Sequence, residues 1–594
     1  MLETLRRDWL ARIGKWDLMD WTVETPNVLF FQSDRVRPPE SSEVLLLSKE
    51  TETDKPFVLD AGSAFLPSDL QGENVIPPDL GYPMSLDEIN ITGDGDDFVV
   101  VRGRSGELAE RVRELHERVF VLGNAMEMLR HPLEFAKRVM AVRSSMSPHG
   151  LTYAPGIATP ANLSVLIYCG IDLADSLRVV VESGYGRFHT EGGSMPYEEA
   201  SRRICHCPTC EEGVTKDNLR DHNSHVLMRE LQVCRNAIER GRLRELAERR
   251  MLSSAWCVSV MRHMDRRLYA AVEPSVPVTG GKVLALSDAS LYRPDVLRFR
   301  KRMLRRYSRP PGAAVLLLIP CSARKPYSLS KSHRIFRRAV RASANRSAIH
   351  EVIVTSPLGL VPRELELFHP AQDYDIPVTG DWSGEEAKII REELQSFLER
   401  NEYTRMVVHL GAEKELLSDI VEDAVFMTEG SLTSSSSIEA LGKALSEATG
   451  DLERVGRRER LIQDVKNLAV FQFGDVGGDL LKDCGLRGRY PSVRIIGEEH
   501  LATLVPSRGM LSLTLEGGRI LAREKAYCVT IEDFRPEGNV FAIGVTGADP
   551  NIREGDDVAV VCGDEVRAVG VARMPAKEMV ESKRGEAVRV RHKA

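Results

Sequence analysis

Between Pro320 and His333 the chain reads Pro-Cys-Ser-Ala-Arg-Lys-Pro-Tyr-Ser-Leu-Ser-Lys-Ser-His. A thiol (Cys321), an amine (Lys325), a phenol (Tyr327), hydroxyls (Ser322, Ser330) and an imidazole (His333) fall within fourteen residues. These groups attack electrophiles and move protons. Burying so many is costly, and a simple turn has no use for them. The segment therefore reads as an active-site loop. Ahead of it, Ala313 to Ile319 is an unbroken apolar run of strand length, and Arg334–Val340 behind it starts a basic helix. A buried strand, a polar loop and a helix start is how α/β folds place ligands, at the carboxyl ends of strands.

A second cluster has metal-ligand spacing. Cys205, Cys207 and Cys210 form C-x-C-x-x-C, followed by His222 and His225. Three thiolates and one imidazole satisfy tetrahedral zinc, and four protein ligands make a closed, structural site. The fourth ligand is His222 or His225. Of the ten cysteines, Cys169, Cys234, Cys257, Cys484, Cys528 and Cys562 read as small apolar packing residues.

The chain has 594 residues, enough for about four domains at roughly 150 residues each. Hydrophobic and charged contents of 42% and 28% are those of a soluble globular protein. No apolar run approaches the roughly 20 residues of a membrane span. Glu3, Arg6, Arg7 and Asp8 stand where a signal peptide needs an apolar core, so a cytoplasmic location is expected. A net charge of −7 argues against a uniformly basic coat protein. Its distribution is uneven, however. Eight Arg or Lys against one acid lie between Arg293 and Arg309, and eight with no acid between Arg324 and Arg346. Two such runs bracketing one candidate active site point to a polyanion, and nucleic acid is the leading partner.

The elements fall into four blocks. Residues 1–290 alternate short strands (Phe57–Leu59, Phe98–Val101, Leu163–Tyr168) with helical stretches (Glu107–Leu122, His225–Met251), which predicts a barrel or layered α/β domain. Residues 291–430 predict a second α/β domain, with strands near Val315–Ile319, Glu351–Thr355 and Met406–Leu410 and a helix near Glu385–Arg400. The low-complexity Ser431–Ser437 reads as a linker to a small α+β unit at 431–515. Residues 516–594 are strand-rich and predict a small β-barrel.

Several motifs together resemble a known family. Asp172-Leu-Ala-Asp-Ser176, Gly186-Arg-Phe-His-Thr-Glu-Gly192, the cysteine cluster and His222-Asn223 resemble the zinc half of tRNA-guanine transglycosylases. That resemblance implies a TIM-barrel-like domain, favours His222 as fourth ligand and sets Asp175 at the nucleophile's place. The second aspartate's context is only partly matched, by Asp60-Ala-Gly-Ser-Ala-Phe65. The Gln-Gly-Gly and Gly-x-x-x-Gly-Glu base-recognition segments are missing, so a base-exchange pocket looks incomplete. Pro320-Cys321, Lys325-Pro326-Tyr327, Ser330 and His333 are similar to the signature of the archaeosine synthases, archaeal paralogues of those enzymes. Thr355–Arg363 and His369–Trp382 resemble the same family's following segments, and Phe541–Asp549 through His592 looks like a PUA RNA-binding barrel.

The resemblance implies a substrate tRNA carrying 7-cyano-7-deazaguanine at position 15 of the D-arm. Its nitrile becomes a formamidine by addition of an amine donor, lysine or glutamine. A radical-SAM lyase partner and a homodimer are further expectations. Addition places negative charge on the nitrile nitrogen, for which Lys325, Tyr327 and His333 are candidate proton donors. Cys321 either attacks first, giving a thioimidate, or only shapes the pocket. Ser322, Arg324 and Asp381 are candidate substrate contacts, and Asp373 and Asp375 can also hold a donor's ammonium. Arg567, Arg573, Lys577, Lys583, Arg584, Arg589 and Arg591 are candidate phosphate contacts of the last domain. The rival readings are a base-exchanging transglycosylase centred on Asp175 and a non-catalytic tRNA-binding subunit.

Overall fold

The computed structural model describes residues 2–62, 70, 72, 74–77, 90–93, 97–103, 105–115, 118–200, 204–377 and 382–594. It divides into two compact units, one of Met1–Val276 with Glu581–Gly585, the other of Pro277–Val580 with Glu586–Ala594. Among the described residues no helix is long and apolar enough to cross a membrane.

The first unit is TIM-barrel-like. Eight parallel strands run in spatial order Phe98–Arg102, Val119–Leu122, Leu151–Tyr153, Leu173–Asp175, Asn27–Phe31, Val44–Leu47, Phe57–Asp60 and Val75–Ile76. The sheet curls until its two ends come into contact. Buried Leu29, Leu46, Val58, Val100, Val121, Tyr153 and Leu173 fill one shared core. Because these strands are buried on both faces, they read as continuous apolar runs without alternation. That ambiguity explains two corrections. Leu163–Tyr168 is a helix, not a strand, with all six residues buried. The expected helix Glu107–Leu122 is a helix Ser105–Glu114 followed by the strand Val119–Leu122. The single helix expected at His225–Met251 is two, Leu219–Glu239 and Leu243–Met251, parted at Gly241, whose φ of +61° favours glycine.

The second unit carries the loop. Its five-stranded sheet runs Gly359–Pro362, Ile349–Thr355, Val315–Pro320, Arg405–Val408, Phe426–Met427, parallel except for the first pair. Helix Lys331–Ala342 packs with helix Ser435–Thr449, and helix Gly384–Arg400 with Pro294–Arg306. Ser431–Ser437 is therefore not a linker. Ser434 caps the helix Ser435–Thr449, its hydroxyl accepting from the Ser437 amide at 3.2 Å. A helix Arg457–Phe473 and a four-stranded meander from Gly485 to Leu513 follow. The C-terminal six-stranded sheet runs Val540–Phe541, Glu586–Lys593, Glu565–Ala572, Asp557–Cys562, Cys528–Ile531, Val545–Ala548.

Candidate active site

The central strand Val315–Pro320 has parallel neighbours on both sides. From it the chain passes through Lys331–Ala342 to Ile349–Thr355 on one side, and later through Gly384–Arg400 to Arg405–Val408 on the other. The strand order thus reverses between Val315–Pro320 and Arg405–Val408, and in α/β sheets the ligand crevice lies at the carboxyl ends of such a pair. Cys321, Thr355 and Glu413 come to it from the ends of three strands. Burial pushes the Cys321 thiol up, against a hydrogen bond with Thr355 and the Lys325 charge, while Glu413 adds to the rise.

Lys325 extends over an aromatic face, its Nζ 3.9 Å from the ring centroid of Tyr374. Tyr374 lies on the short strand Tyr374–Asp375, which pairs in parallel with Val283–Leu284. Its hydroxyl is 2.6 Å from that of Tyr327 and 2.5 Å from Thr355 Oγ1. Burial draws Lys325 below the ordinary amine range, partly offset by Cys321 and Asp375. Asp375 is itself paired with Lys282 at 2.9 Å. Burial also pushes both phenols up, so they stay protonated and able to donate. The crevice therefore holds an amine and a thiol, both biased towards neutrality, beside a chain of hydroxyls.

The other loop residues have contacts of their own. The Ser322 hydroxyl donates to the Arg324 carbonyl at 3.0 Å, and Arg324 itself is exposed. Ser330 caps helix Lys331–Ala342, accepting from the His333 amide at 3.2 Å. His333 is buried, and its Nδ1 accepts from Arg363 at 2.8 Å. Burial, then the Arg363 charge, draws this imidazole down to about 3. Arg363 also pairs with Glu351 at 2.8 Å and Glu366 at 3.0 Å, and Glu366 accepts from the Ser328 amide at 2.9 Å. Ser330, His333 and this ionic girdle hold the loop in shape. Asp381 lies outside the described residues. Sequence reasoning missed Tyr374, Thr355, Arg363 and Glu366 as individual site residues, although the family-like segments contained the first three. Glu413 and Lys282 carried no signal.

The metal cluster assembles in the first unit. Ligand atoms of Cys205, Cys207, Cys210 and His222 all lie within 4.8 Å of one another. His222 Nε2 is 3.0 Å from the His189 carbonyl, which leaves Nδ1 facing Cys210 at 3.2 Å and Cys207 at 3.4 Å. A carbonyl behind a ligating imidazole fixes its tautomer. Phe188 stacks on the ring at 3.8 Å, and Asn223 ties down the same hairpin through the His189 amide and the Arg187 carbonyl, both at 2.9 Å. His225 is not in the cluster.

Asp175 and Asp60 end two barrel strands and are fully buried. Asp175 Oδ2 accepts from the Tyr153 hydroxyl and the Gly156 amide, both at 2.7 Å, and Oδ1 from the Leu177 amide at 2.9 Å. Burial nevertheless raises it to about 6, with Asp60 adding to the rise. Asp60 Oδ1 accepts from the Gly62 amide at 2.8 Å. The Asp175 pair thus belongs to the first unit and the Cys321 crevice to the second.

The two basic runs part company. Most arginines of the 293–309 run are internal fasteners, while Arg305 is exposed. Arg293 pairs with Asp295 at 3.0 Å, Arg300 pairs with Glu393, and Arg306 donates to the Gln472 carbonyl at 2.9 Å. Arg302 is buried against Phe368, with its guanidinium 5.9 Å from the ring centroid. Several cations expected to meet phosphate in the last domain also have acidic partners. Arg567 pairs with Asp533 at 3.1 Å, Arg589 with Glu586 at 3.0 Å and Arg591 with Asp557 at 2.5 Å.

Comparison with known proteins agrees with this layout. Residues 103–255 match the family described as queuine tRNA-ribosyltransferase, and 296–445 a domain of unknown function (DUF5591). Residues 463–527 match the patch-forming domain C2 of tRNA-guanine transglycosylase, and 532–594 the PUA domain. An archaeosine synthase of Haloferax volcanii is 34% identical over 99% of this chain and 98% of its own length. The archaeosine synthase subunit alpha of Methanosarcina acetivorans is 34% identical over 88% of each chain. A tRNA-guanine(15) transglycosylase of Methanothermobacter thermautotrophicus is 27% identical over 82% of this chain and 72% of its own.

Proposed function

The chain belongs to the archaeosine synthase family, and from that premise we propose that it adds lysine across the nitrile of 7-cyano-7-deazaguanine at position 15 of tRNA. The product is a lysine-substituted formamidine, which a partner radical-SAM lyase cleaves to archaeosine. The observation that carries the reading is the meeting of Cys321, Lys325, Thr355, Tyr327 and Tyr374 at the strand-order reversal.

The addition balances without a redox step. The donor's nitrogen forms a bond to the nitrile carbon, one C–N π bond breaks, and its electron pair moves to the nitrile nitrogen. One proton leaves the donor nitrogen and one reaches the former nitrile nitrogen. Lys325, drawn towards its neutral form by burial, accepts the donor's proton. The protonated Tyr327–Tyr374–Thr355 chain stabilises the developing charge on nitrogen. Burial pushes Cys321 up, and only a thiolate is a strong nucleophile, so this geometry supports direct attack by the amine over a thioimidate. In the first unit, zinc on Cys205, Cys207, Cys210 and His222 would fix the Arg187–Pro196 hairpin to the helix carrying His222.

The test is incubation with cyano-modified tRNA and isotope-labelled lysine or glutamine, followed by mass spectrometry of the nucleosides. A labelled lysine adduct is expected. Release or exchange of the base, abolished by Asp175→Asn, would overturn the reading in favour of a transglycosylase.

A further inference from the structure

A cavity of about 800 Å³ lies on the second unit, lined by the active-site loop at Pro326, Ser328 and Leu329. The basic helix Lys331–Ala342 supplies Arg337 and Arg341 to its wall, and Arg346 and Arg457 complete a cationic rim. No carboxylate pairs with these four guanidiniums among the described residues. Arg346 is held below its ordinary range by lost hydration and then by the charges of Arg457 and Arg341, so these cations crowd one another. The acids that line the cavity are already engaged. Glu351 and Glu366 pair with Arg363 at 2.8 and 3.0 Å, Asp464 with Arg460 at 2.7 Å, and Glu364 accepts from Tyr307 at 2.5 Å. The Tyr490 hydroxyl, on another lining residue, is buried with no hydrogen-bond partner among the described residues.

Unpaired, mutually repelling cations at a concave surface raise the free energy of the empty site and lower it when polyanion phosphates arrive. We propose that this groove seats the sugar–phosphate backbone of the substrate tRNA, with Arg341, Arg346 and Arg457 on phosphates. This rests on the tRNA reading above and gives it a docking face continuous with the catalytic loop. Exposed Leu329, at the loop's edge of the groove, offers an apolar contact to a base or ribose.

The experiment measures binding of an unmodified tRNA transcript to the full chain across a salt series, by fluorescence anisotropy. Each lost phosphate contact lowers the slope of log K against log salt by about 0.9. The triple variant Arg341→Gln/Arg346→Gln/Arg457→Gln is therefore expected to shed up to about 2.7 of slope. Between 50 and 200 mM salt the wild type then loses roughly 40-fold more affinity than the variant. Arg341→Gln alone, at an exposed position, is expected to shed about 0.9 of slope and guards against misfolding of the triple. A matched control, Lys388→Gln/Lys443→Gln/Lys482→Gln, removes the same charge elsewhere. Unchanged slopes in the arginine variants, or an equal fall in the control, would overturn the proposal. The probe lacks the cyano base, so the two readings fail separately. A wild type that forms no adduct removes the proposed chemistry. A wild type that forms it while the arginine variants bind unaltered removes only the groove.

Discussion

Lys325→Met separates the amine from everything else at the crevice, because methionine keeps much of the aliphatic stem. Two effects on stability oppose each other. Burial draws Lys325 below the ordinary amine range, so its charged form is disfavoured on folding and its removal is stabilising. Against this stands the contact of Nζ with the Tyr374 face at 3.9 Å, a geometry worth about 0.5–2 kcal/mol. The net change is expected within about 1 kcal/mol, a shift in Tm of about 2–4 °C for a domain of this size class. Catalysis has no such cancellation, since a positioned acid–base group contributes about 10²–10⁴-fold. Single-turnover adduct formation at saturating tRNA is therefore expected to slow by that factor, with tRNA affinity unchanged. Lys325→Arg keeps a cation over the ring but cannot release a proton near neutral pH, and it is expected to fail like methionine. The wild-type rate is expected to rise with pH as the amine loses its proton, with the midpoint below the ordinary lysine value. A methionine variant that turns over normally but binds tRNA weakly would refute the reasoning, as would full activity of the arginine variant.

Three further outcomes are expected. Cys321→Ser retains turnover if the amine attacks directly, and complete loss with unaltered tRNA binding would instead require the thioimidate. Cys207→Ala is expected to abolish metal binding, read by native mass spectrometry, and to raise amide exchange across Arg187–Pro196 and the start of helix Leu219–Glu239; a variant with full metal content would sink the ligand assignment. Asp175 is raised from 3.8 to about 6, so between these values the folded state holds a proton that the unfolded chain has lost. Its contribution is thus present below about pH 4 and lost as pH rises through about 6, a fall of about 3 kcal/mol. Asp175→Asn should lack this slope in denaturant titrations of the barrel, and an identical slope in both proteins would count against it.

Where a pattern was local, the sequence was readable. The apolar run before Cys321, the basic helix behind it and the cysteine spacing each describe neighbours along the chain. Leu163–Tyr168 was misread because an apolar run buried on every side has no period to reveal. The arginines of residues 293–309 look like a phosphate-binding stripe only while Asp295, Glu393 and the Gln472 carbonyl are out of view. Their partner Glu393 lies 93 residues from Arg300. The same distance problem hid Glu413 and Lys282. Tyr374 gave no sign of its role for another reason: a buried tyrosine on a two-residue strand looks like core until the lysine above its ring is seen.

The two candidate centres differ in what their polar atoms still lack, and that difference bears on where the reaction belongs. Both Asp175 oxygens are occupied, by two amides and a phenol, at 2.7–2.9 Å. An attacking carboxylate must offer a lone pair; three of its roughly four acceptor sites are taken, both on Oδ2 and one on Oδ1, so attack through Oδ2 means breaking or sharing a bond, at about 1–3 kcal/mol for a buried group. The Oδ1 bond to the Leu177 amide also ties the carboxylate to the start of helix Leu177–Gly184, so displacing it disturbs the fold. Lys325 has the opposite character. Its Nζ rests on a ring face, which attracts the cation without accepting a proton, and among the described residues no carboxylate pairs with it directly. Cys321 beside it is kept protonated by burial. An amine in that state can take a proton from an incoming nucleophile without first breaking an ion pair, which is what addition to a nitrile requires of its base.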